Sequence, residues 1–225
     1  MRRLDLIIAA VVILLVAFAV VRQLTGGGED PATGPRTVGI GEALSPDITL
    51  TSLDGERVRL GDALGTKGTI LYAWSTTCPC IPFCEDKMRE LHARFGPGKG
   101  YTWFAIAGEP TETAEGIRQE MTSLRAFYPM LLDPSHRLCA RVGFDRAAMV
   151  AILDPDGYLR FRGNLGDDLR NPTKIWLEGA LEAIDAGLEP NPAETDIAYG
   201  CVFSVPIDCE DDVLPEPTAA APSAP

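Results

Sequence analysis

The chain has 225 residues, 46% of them apolar, and its 20 Lys+Arg against 32 Asp+Glu leave a formal charge of −12. That is enough apolar residue to bury a core, and it excludes wholesale disorder, which requires low hydrophobicity. It also excludes a nucleic-acid binder acting through bulk charge, because neutralising phosphates takes an excess of Lys and Arg.

Met1-Arg2-Arg3-Leu4-Asp5 is followed by sixteen uninterrupted apolar residues, Leu6 to Val21. As a helix this run covers roughly 24 Å, and taking in Leu4 and Leu24 brings it to the length of a bilayer core of about 30 Å. Ala17-Phe18-Ala19 has the small-x-small form of a cleavage signal, but the apolar run continues past it without a polar stretch before the cut. The reading is an uncleaved signal anchor over residues 1–24. The early positive charges keep the N-terminus cytoplasmic and send the rest across the membrane. The expected location is the bacterial inner membrane, single pass, with the working domain facing the periplasm. Residues 25–37 (TGGGEDPATGPRT) read as a Gly/Pro-rich tether.

Residues 38–187 alternate between strand-like and helix-like patterns. Ile48–Leu50 and Val58–Leu60 flank the turn Asp54-Gly55 as a hairpin. Gly68–Trp74 reads as a buried strand. Apolar residues at helical spacing predict a helix from Pro82 to Phe95, stopped by Gly96-Pro97-Gly98. Tyr101–Ala107 is the next strand, and Thr111–Phe127 a helix capped by Thr111. Met130–Leu132 is a short strand, and His136–Val142 a helical turn. Val150–Leu153 and Leu159–Phe161 pair across Asp154-Pro155-Asp156-Gly157. Pro172–Ala186 closes with an amphipathic helix that turns Ile175, Leu177, Leu181 and Ile184 inward. This order predicts an α/β fold, a mixed sheet flanked by helices, which is the architecture of the thioredoxin fold. Residues 188–225 hold eight acids, seven prolines and no Lys or Arg. They form an acidic Pro/Ala-rich tail, flexible except for the apolar Tyr199–Ile207, which is expected to dock on the domain.

Six cysteines are too few for a disulfide scaffold, but three crowd into Cys78-Pro79-Cys80-Ile81-Pro82-Phe83-Cys84. The cluster follows a strand and opens a helix, the edge at which open α/β sheets place their sites. Free N–H groups at a helix start stabilise a thiolate, and a thiolate is the attacking species in disulfide exchange. Cys78, Cys80 and Cys84 are therefore the candidate catalytic residues, with Cys78/Cys80, Cys80/Cys84 and Cys78/Cys84 all available as pairs. Cys139 and Trp74 read as core, and His136 as a capping or surface residue.

Tyr72-Ala73-Trp74-Ser75-Thr76-Thr77-Cys78-Pro79, Tyr101–Ala107, Tyr128-Pro129-Met130-Leu131-Leu132-Asp133, Val150–Gly157 and Phe161-Arg162-Gly163-Asn164 resemble the redoxin branch of the thioredoxin-like superfamily. That branch is the alkyl hydroperoxide reductase/thiol-specific antioxidant group, and the likeness spans about residues 38–205. It implies a thiol–disulfide oxidoreductase or peroxiredoxin-like antioxidant enzyme without a cofactor. The substrate would be a protein dithiol or disulfide, or a peroxide, with Cys78 as the attacking thiol and Cys80 or Cys84 resolving. Thr195 and Tyr199-Gly200-Cys201 resemble a C-terminal Gly-Cys of some bacterial redoxins. Cys201 and Cys209 are expected to pair as a structural disulfide, the sharper alternative being Cys201 as resolving partner of Cys78.

Two departures from the family pattern stand out. The proline that faces the active cysteine should fall near Ala147-Ala148. The Pro and Thr of the peroxidatic signature are replaced by Leu71 and Ser75 counted from Cys78, or by Ala73 and Thr77 counted from Cys80. Thiol–disulfide exchange therefore fits better than peroxide reduction. The alternative is a copper-delivering chaperone for cytochrome oxidase assembly that uses Cys80, Cys84 and His136, since soft thiolates suit Cu(I).

Overall fold

The computed structural model describes residues 36–204. The anchor expected over residues 1–24, nearly all of the linker, and Cys209 lie outside them. Among the described residues no helix is long and apolar enough to cross a membrane.

Thr49–Ser52 (β1) and Arg57–Arg59 (β2) form the hairpin expected around Asp54-Gly55, with Thr49 opposite Arg59 and Thr51 opposite Arg57. Gly68–Trp74 (β3) leads through Ile81–Arg94 (α1) to Tyr101–Ala107 (β4), which runs parallel to it from Gly68 opposite Tyr101 to Trp74 opposite Ala107. Ala114–Leu124 (α2) crosses to Met130–Leu132 (β5), parallel to β4, and Arg137–Val142 (α3) follows. Met149–Leu153 (β6) and Leu159–Asn164 (β7) make the second hairpin, and Trp176–Asp185 (α4) comes last. The seven strands lie in the order β2-β1-β5-β4-β3-β6-β7, parallel at the centre and antiparallel toward both edges.

The burial pattern of each strand follows from its place in this order. β3 sits between β4 and β6, and all seven of its residues are buried. A strand covered on both faces carries an uninterrupted apolar run, which GTILYAW is. At the sheet edge β7 alternates instead, with Leu159 and Phe161 buried and Arg160 and Arg162 half-buried. α1 buries Ile81, Cys84, Glu85, Met88 and Leu91 along one stripe. Arg94 at its end pairs with Glu178 and Glu182 of α4.

α1 begins one residue before the expected Pro82, and the other three helices begin later than expected. α2 begins at Ala114, because Thr113 rather than Thr111 caps it by accepting the Gly116 N–H at 3.1 Å. Thr111 donates instead to Glu109. α4 begins at Trp176 rather than Pro172: Asp167 takes the N–H groups of Thr173 and Lys174 at 2.8 and 3.0 Å, which holds that stretch as a loop. α3 begins after His136, which is left-handed with φ 55°. Its cap is the buried Asp133, whose carboxylate accepts the N–H groups of Arg137, Leu138 and Cys139 at 2.8, 3.0 and 2.8 Å.

Candidate active site: three sulfurs at the end of the central strand

The chain leaves β3 at Trp74 and turns through residues 75–80 into α1. This turn is held from across the sheet. Glu112, in the loop after β4, accepts hydrogen bonds from Ser75 Oγ at 2.7 Å and from Thr76 Oγ1 at 2.8 Å. Ser75 Oγ in turn accepts the Thr77 N–H at 3.2 Å. Cys80 is the N-cap of α1, and its own side chain makes no cap. The expectation of free helix-start donors for a thiolate is not met. The N–H groups of Ile81 and Phe83 go to the carbonyls of Cys78 and Cys80 at 3.2 Å each, and Pro82 has none to give.

The neighbours of sulfur come from elsewhere. The Cys80 and Cys201 side chains both lie beside Cys78, and the Gly200 N–H lies near the Cys80 sulfur. The hydrogen bond to Cys78 is the main reason the Cys201 thiol is pushed up to about 11, with partial burial and the nearby charges of Cys78 and Cys80 adding to it. The Cys80 thiol is raised first by burial, then by the charge and hydrogen bond of Cys78. Cys78 is 2% exposed. Cys84 also feels the charges of Cys80 and Cys78, though burial dominates its environment. It lies one helical turn inside α1, buried beside the Tyr72 and Tyr199 hydroxyls, and burial pushes its thiol up to about 12.

Behind Cys84 lies a polar layer that sequence reasoning missed. Glu85 is 3% exposed, and Tyr128 donates its hydroxyl to Glu85 Oε1. Burial is the dominant cause that holds the Glu85 carboxyl above the usual carboxylate range, opposed by the Tyr128 hydrogen bond. Glu85 Oε2, Tyr72 Oη and Trp74 Nε1 are buried with no hydrogen-bond partner. The available signal was an acid one position from Cys84 on the apolar stripe of α1. A carboxyl that binds its proton more tightly when folded costs stability as pH rises above its unfolded value of 4.5. Glu85→Gln is therefore expected to flatten the fall in stability on raising the pH from 4.5 toward neutrality, read from urea midpoints across that range.

The site is roofed by the end of the described chain. Asn164 of β7 accepts the N–H groups of Ala198 and Tyr199 at 2.7 and 3.2 Å and donates to the Tyr199 and Ala148 carbonyls at 3.2 and 3.0 Å. Beyond it the chain pairs antiparallel with the loop before β6, Val202 opposite Arg146. The Ala147 N–H donates to the Cys201 carbonyl at 2.9 Å, and the Phe203 N–H donates to the Asp145 carbonyl at 3.0 Å. The missing proline near Ala147-Ala148 thus has a structural reason. Ala148 takes φ 66° and gives its N–H to the Ala73 carbonyl at 2.8 Å, so proline at either position would delete a hydrogen bond and could not reach that φ at 148.

The copper alternative is not favoured by this geometry. His136 is buried with Nε2 bonded to the Gly108 carbonyl and its ring against Phe203. Among the described residues no group of three or more His, Cys, Asp or Glu has an arrangement that could hold a metal ion.

The sequence profile of the AhpC/TSA family matches residues 41–162, more than half of the chain. The chain belongs to the AhpC/TSA family. Proteins of the AhpC/TSA family act through cysteine thiols, in thiol–disulfide exchange or peroxide reduction, and this chain is an enzyme of that class. Solved structures share the thioredoxin-like fold at low identity. A hypothetical protein of Sinorhizobium meliloti 1021 aligns with TM-score 0.64 and 18% identity, covering 75% of this chain and 95% of its own. An uncharacterized conserved protein of Geobacillus kaustophilus aligns at 0.61 and 22%, covering 72% and 90%. A Chlorobium tepidum protein provisionally named thiol:disulfide interchange protein DsbE aligns at 0.52 and 17%, covering 67% and 98%. No functionally curated protein matches the chain.

Proposed function

We propose that the chain is a membrane-anchored, extracytoplasmic thiol–disulfide oxidoreductase in which Cys78 attacks and Cys201 resolves. One observation carries the assignment: two thiols, Cys80 and Cys201, lie beside the single sulfur of Cys78. The Cys78 thiolate attacks a sulfur of a partner disulfide, forming a Cys78–partner bond and releasing the partner's second thiolate. The Cys201 thiolate then attacks Cys78 Sγ, forming a Cys78–Cys201 disulfide and releasing the partner's first thiolate. Two electrons pass from the chain to the partner.

An order of steps follows from this reading. The main cause of the Cys201 proton's tight hold is Cys78 itself. Once Cys78 is tied up in a mixed disulfide that hydrogen bond and charge are gone, so Cys201 ionises more readily at the moment it is needed. Cys80 is one residue from Cys78, and a bridge between them closes a small strained ring. Cys84 is set apart by its thiol, which is pushed up to about 12 inside α1.

Two features support exchange over peroxide reduction. Ser75, in the place of the peroxidatic threonine, is engaged by Glu112 and Thr77. Leu71, in the place of the proline, is fully buried. The thiol:disulfide interchange name of the Chlorobium tepidum neighbour agrees with this reading. The anchored, periplasm-facing location rests on the apolar run Leu6–Val21 and the Arg2-Arg3 that precede the domain.

The test is peptide mapping without reductant after one equivalent of a small disulfide is added. A Cys78–Cys201 peptide is expected. In Cys201→Ser the adduct on Cys78 should persist and turnover should fall about a hundredfold, as expected when a resolving thiol is lost. A Cys201–Cys209 peptide with unchanged turnover would remove Cys201 from the cycle.

A further inference from the structure

Three thiols lie together at Cys78, and forming and closing a mixed disulfide takes two of them. The third, Cys80, is set there by a backbone turn. The Cys78 carbonyl accepts the Ile81 N–H at 3.2 Å, which makes Pro79 and Cys80 the central residues of a turn, and the fixed φ of proline suits the first of these places. Cys201 comes from the roof. Ala147 donates to its carbonyl at 2.9 Å, and the next residue, Ala148, donates to Ala73 at 2.8 Å, one residue before the end of β3.

Oxidation leaves these sulfurs hard to reach. A Cys78–Cys201 bond ties the roof to the loop after β3, and restoring the two thiols requires a nucleophile to reach one of those sulfurs. Cys78 is 2% exposed. Cys201 is half-buried in a segment fixed on both flanks, by Asn164 at Ala198 and Tyr199 and by the Asp145 carbonyl and Glu109 at Phe203 and Ser204. Cys80 is half-buried too, but the residues around it open to solvent: Thr77, Pro79, Pro82 and Phe83 are exposed, Phe83 at 49%. Burial is the first influence on the Cys80 thiol and raises it, and the Cys78 charge adds to this. The Gly200 N–H near its sulfur acts the other way and favours the thiolate.

We propose that Cys80 is a third catalytic residue, a relay thiol that opens the Cys78–Cys201 disulfide from within and passes the oxidation to an outside dithiol. This rests on the reading of Cys78 and Cys201 as the exchanging pair and adds the route by which that pair is reduced again. The Cys80 thiolate attacks Cys78 Sγ, forming a Cys78–Cys80 bond and breaking the Cys78–Cys201 bond. The proton that Cys80 gave up goes to the departing Cys201 thiolate. No electrons are gained or lost in this step, but the covalent tie on the roof is gone. A thiolate of the outside dithiol then attacks Cys80 Sγ and releases the Cys78 thiolate. The dithiol's second thiolate attacks its own sulfur in that mixed disulfide, closing the outside disulfide and releasing Cys80. Two electrons enter the chain. The internal step needs no encounter, because the sulfurs are already neighbours. The small strained ring makes Cys78–Cys80 the more oxidising of the two bonds, so it is a minor species that an outside dithiol consumes quickly.

The test follows re-reduction of the full-length protein. One equivalent of a small disulfide oxidises it, and peptide mapping without reductant verifies the Cys78–Cys201 bond. Loss of that bond is then timed against increasing dithiothreitol by acid quench, alkylation and mass analysis. The parent rate is expected to level off as dithiothreitol rises, because the internal step becomes limiting. In Cys80→Ser the rate should stay proportional to dithiothreitol and be about tenfold slower at low concentration. Proportional rates of equal slope in both proteins would overturn the relay and leave the exchange reading standing. A plateau that persists in Cys80→Ser would assign the slow step to opening of the roof and overturn the relay as well. Absence of the Cys78–Cys201 peptide after oxidation of the parent would overturn both readings. If Cys80→Ser does not fold, trapping in the parent decides. Oxidised parent held with excess iodoacetamide and no reductant should accumulate chain with a Cys78–Cys80 bond and an alkylated Cys201. A Cys78–Cys201 bond that survives this treatment intact would overturn the proposal.

Discussion

Cys78→Ser is expected to abolish exchange with a small disulfide, a loss on the order of a thousandfold or more, as when a nucleophile is removed outright. Cys78 is the sulfur beside which both Cys80 and Cys201 lie, and both of those thiols are raised. Cys84 is unsuited to replace Cys78, since burial pushes its thiol up to about 12. Cys139 is worse placed: it is fully buried, and burial followed by the charge and hydrogen bond of Asp133 holds its thiol well above the usual range. The control is therefore Cys139→Ser, expected to keep the parent rate wherever it folds. Stopped-flow release of thionitrobenzoate reads both variants. A parent-like rate in Cys78→Ser would remove that residue from the mechanism.

Asp133→Ala should cost the fold about 3 kcal/mol, the loss expected when buried amide groups lose a charged acceptor. Three N–H groups at the start of α3 converge on this one carboxylate. The helix is short, its cap residue His136 contributes no side-chain hydrogen bond, and Leu138 and Cys139 are fully buried, so water cannot easily substitute. Asp133→Asn keeps an acceptor oxygen and should recover part of the loss. Urea unfolding of the three proteins measures it, and a loss below about 1 kcal/mol for Asp133→Ala would show that the helix start frays to solvent at little cost.

What could be read from the sequence was what local pattern encodes. β3 and β4 have the residue limits their apolar runs suggested, because a strand buried on both faces announces its length. The start of α2 was misplaced because Thr111 and Thr113 are equally good caps in isolation, and only Glu109 distinguishes them. α4 was drawn too long because the Asp167 carboxylate that holds Thr173 and Lys174 in a loop lies outside the helical pattern. The crowding of Cys78, Cys80 and Cys84 marked the site, but periodicity says nothing about contacts between distant segments. Hence the approach of Cys201 to Cys78 enters the sequence reading only through a resemblance, as the alternative to pairing with Cys209, and the hold of Glu112 on Ser75 and Thr76 is visible only in the folded chain. Glu85 was hidden for a different reason: an acid on a helix reads as solvated until the packing around it is known.

The clamp made by Asn164 has a kinetic consequence. It fixes Ala198 and Tyr199, and Cys201 follows only two residues after Tyr199. So short a tether keeps the Cys201 thiol near Cys78 at an effective concentration in the millimolar range or above. A diffusing thiol competes for a mixed disulfide on Cys78 only when it is present at comparable concentration. The lifetime of that intermediate is then set by the chain and not by the thiol content of its surroundings, and partners captured on Cys78 will be recovered in quantity only where Cys201 has been replaced.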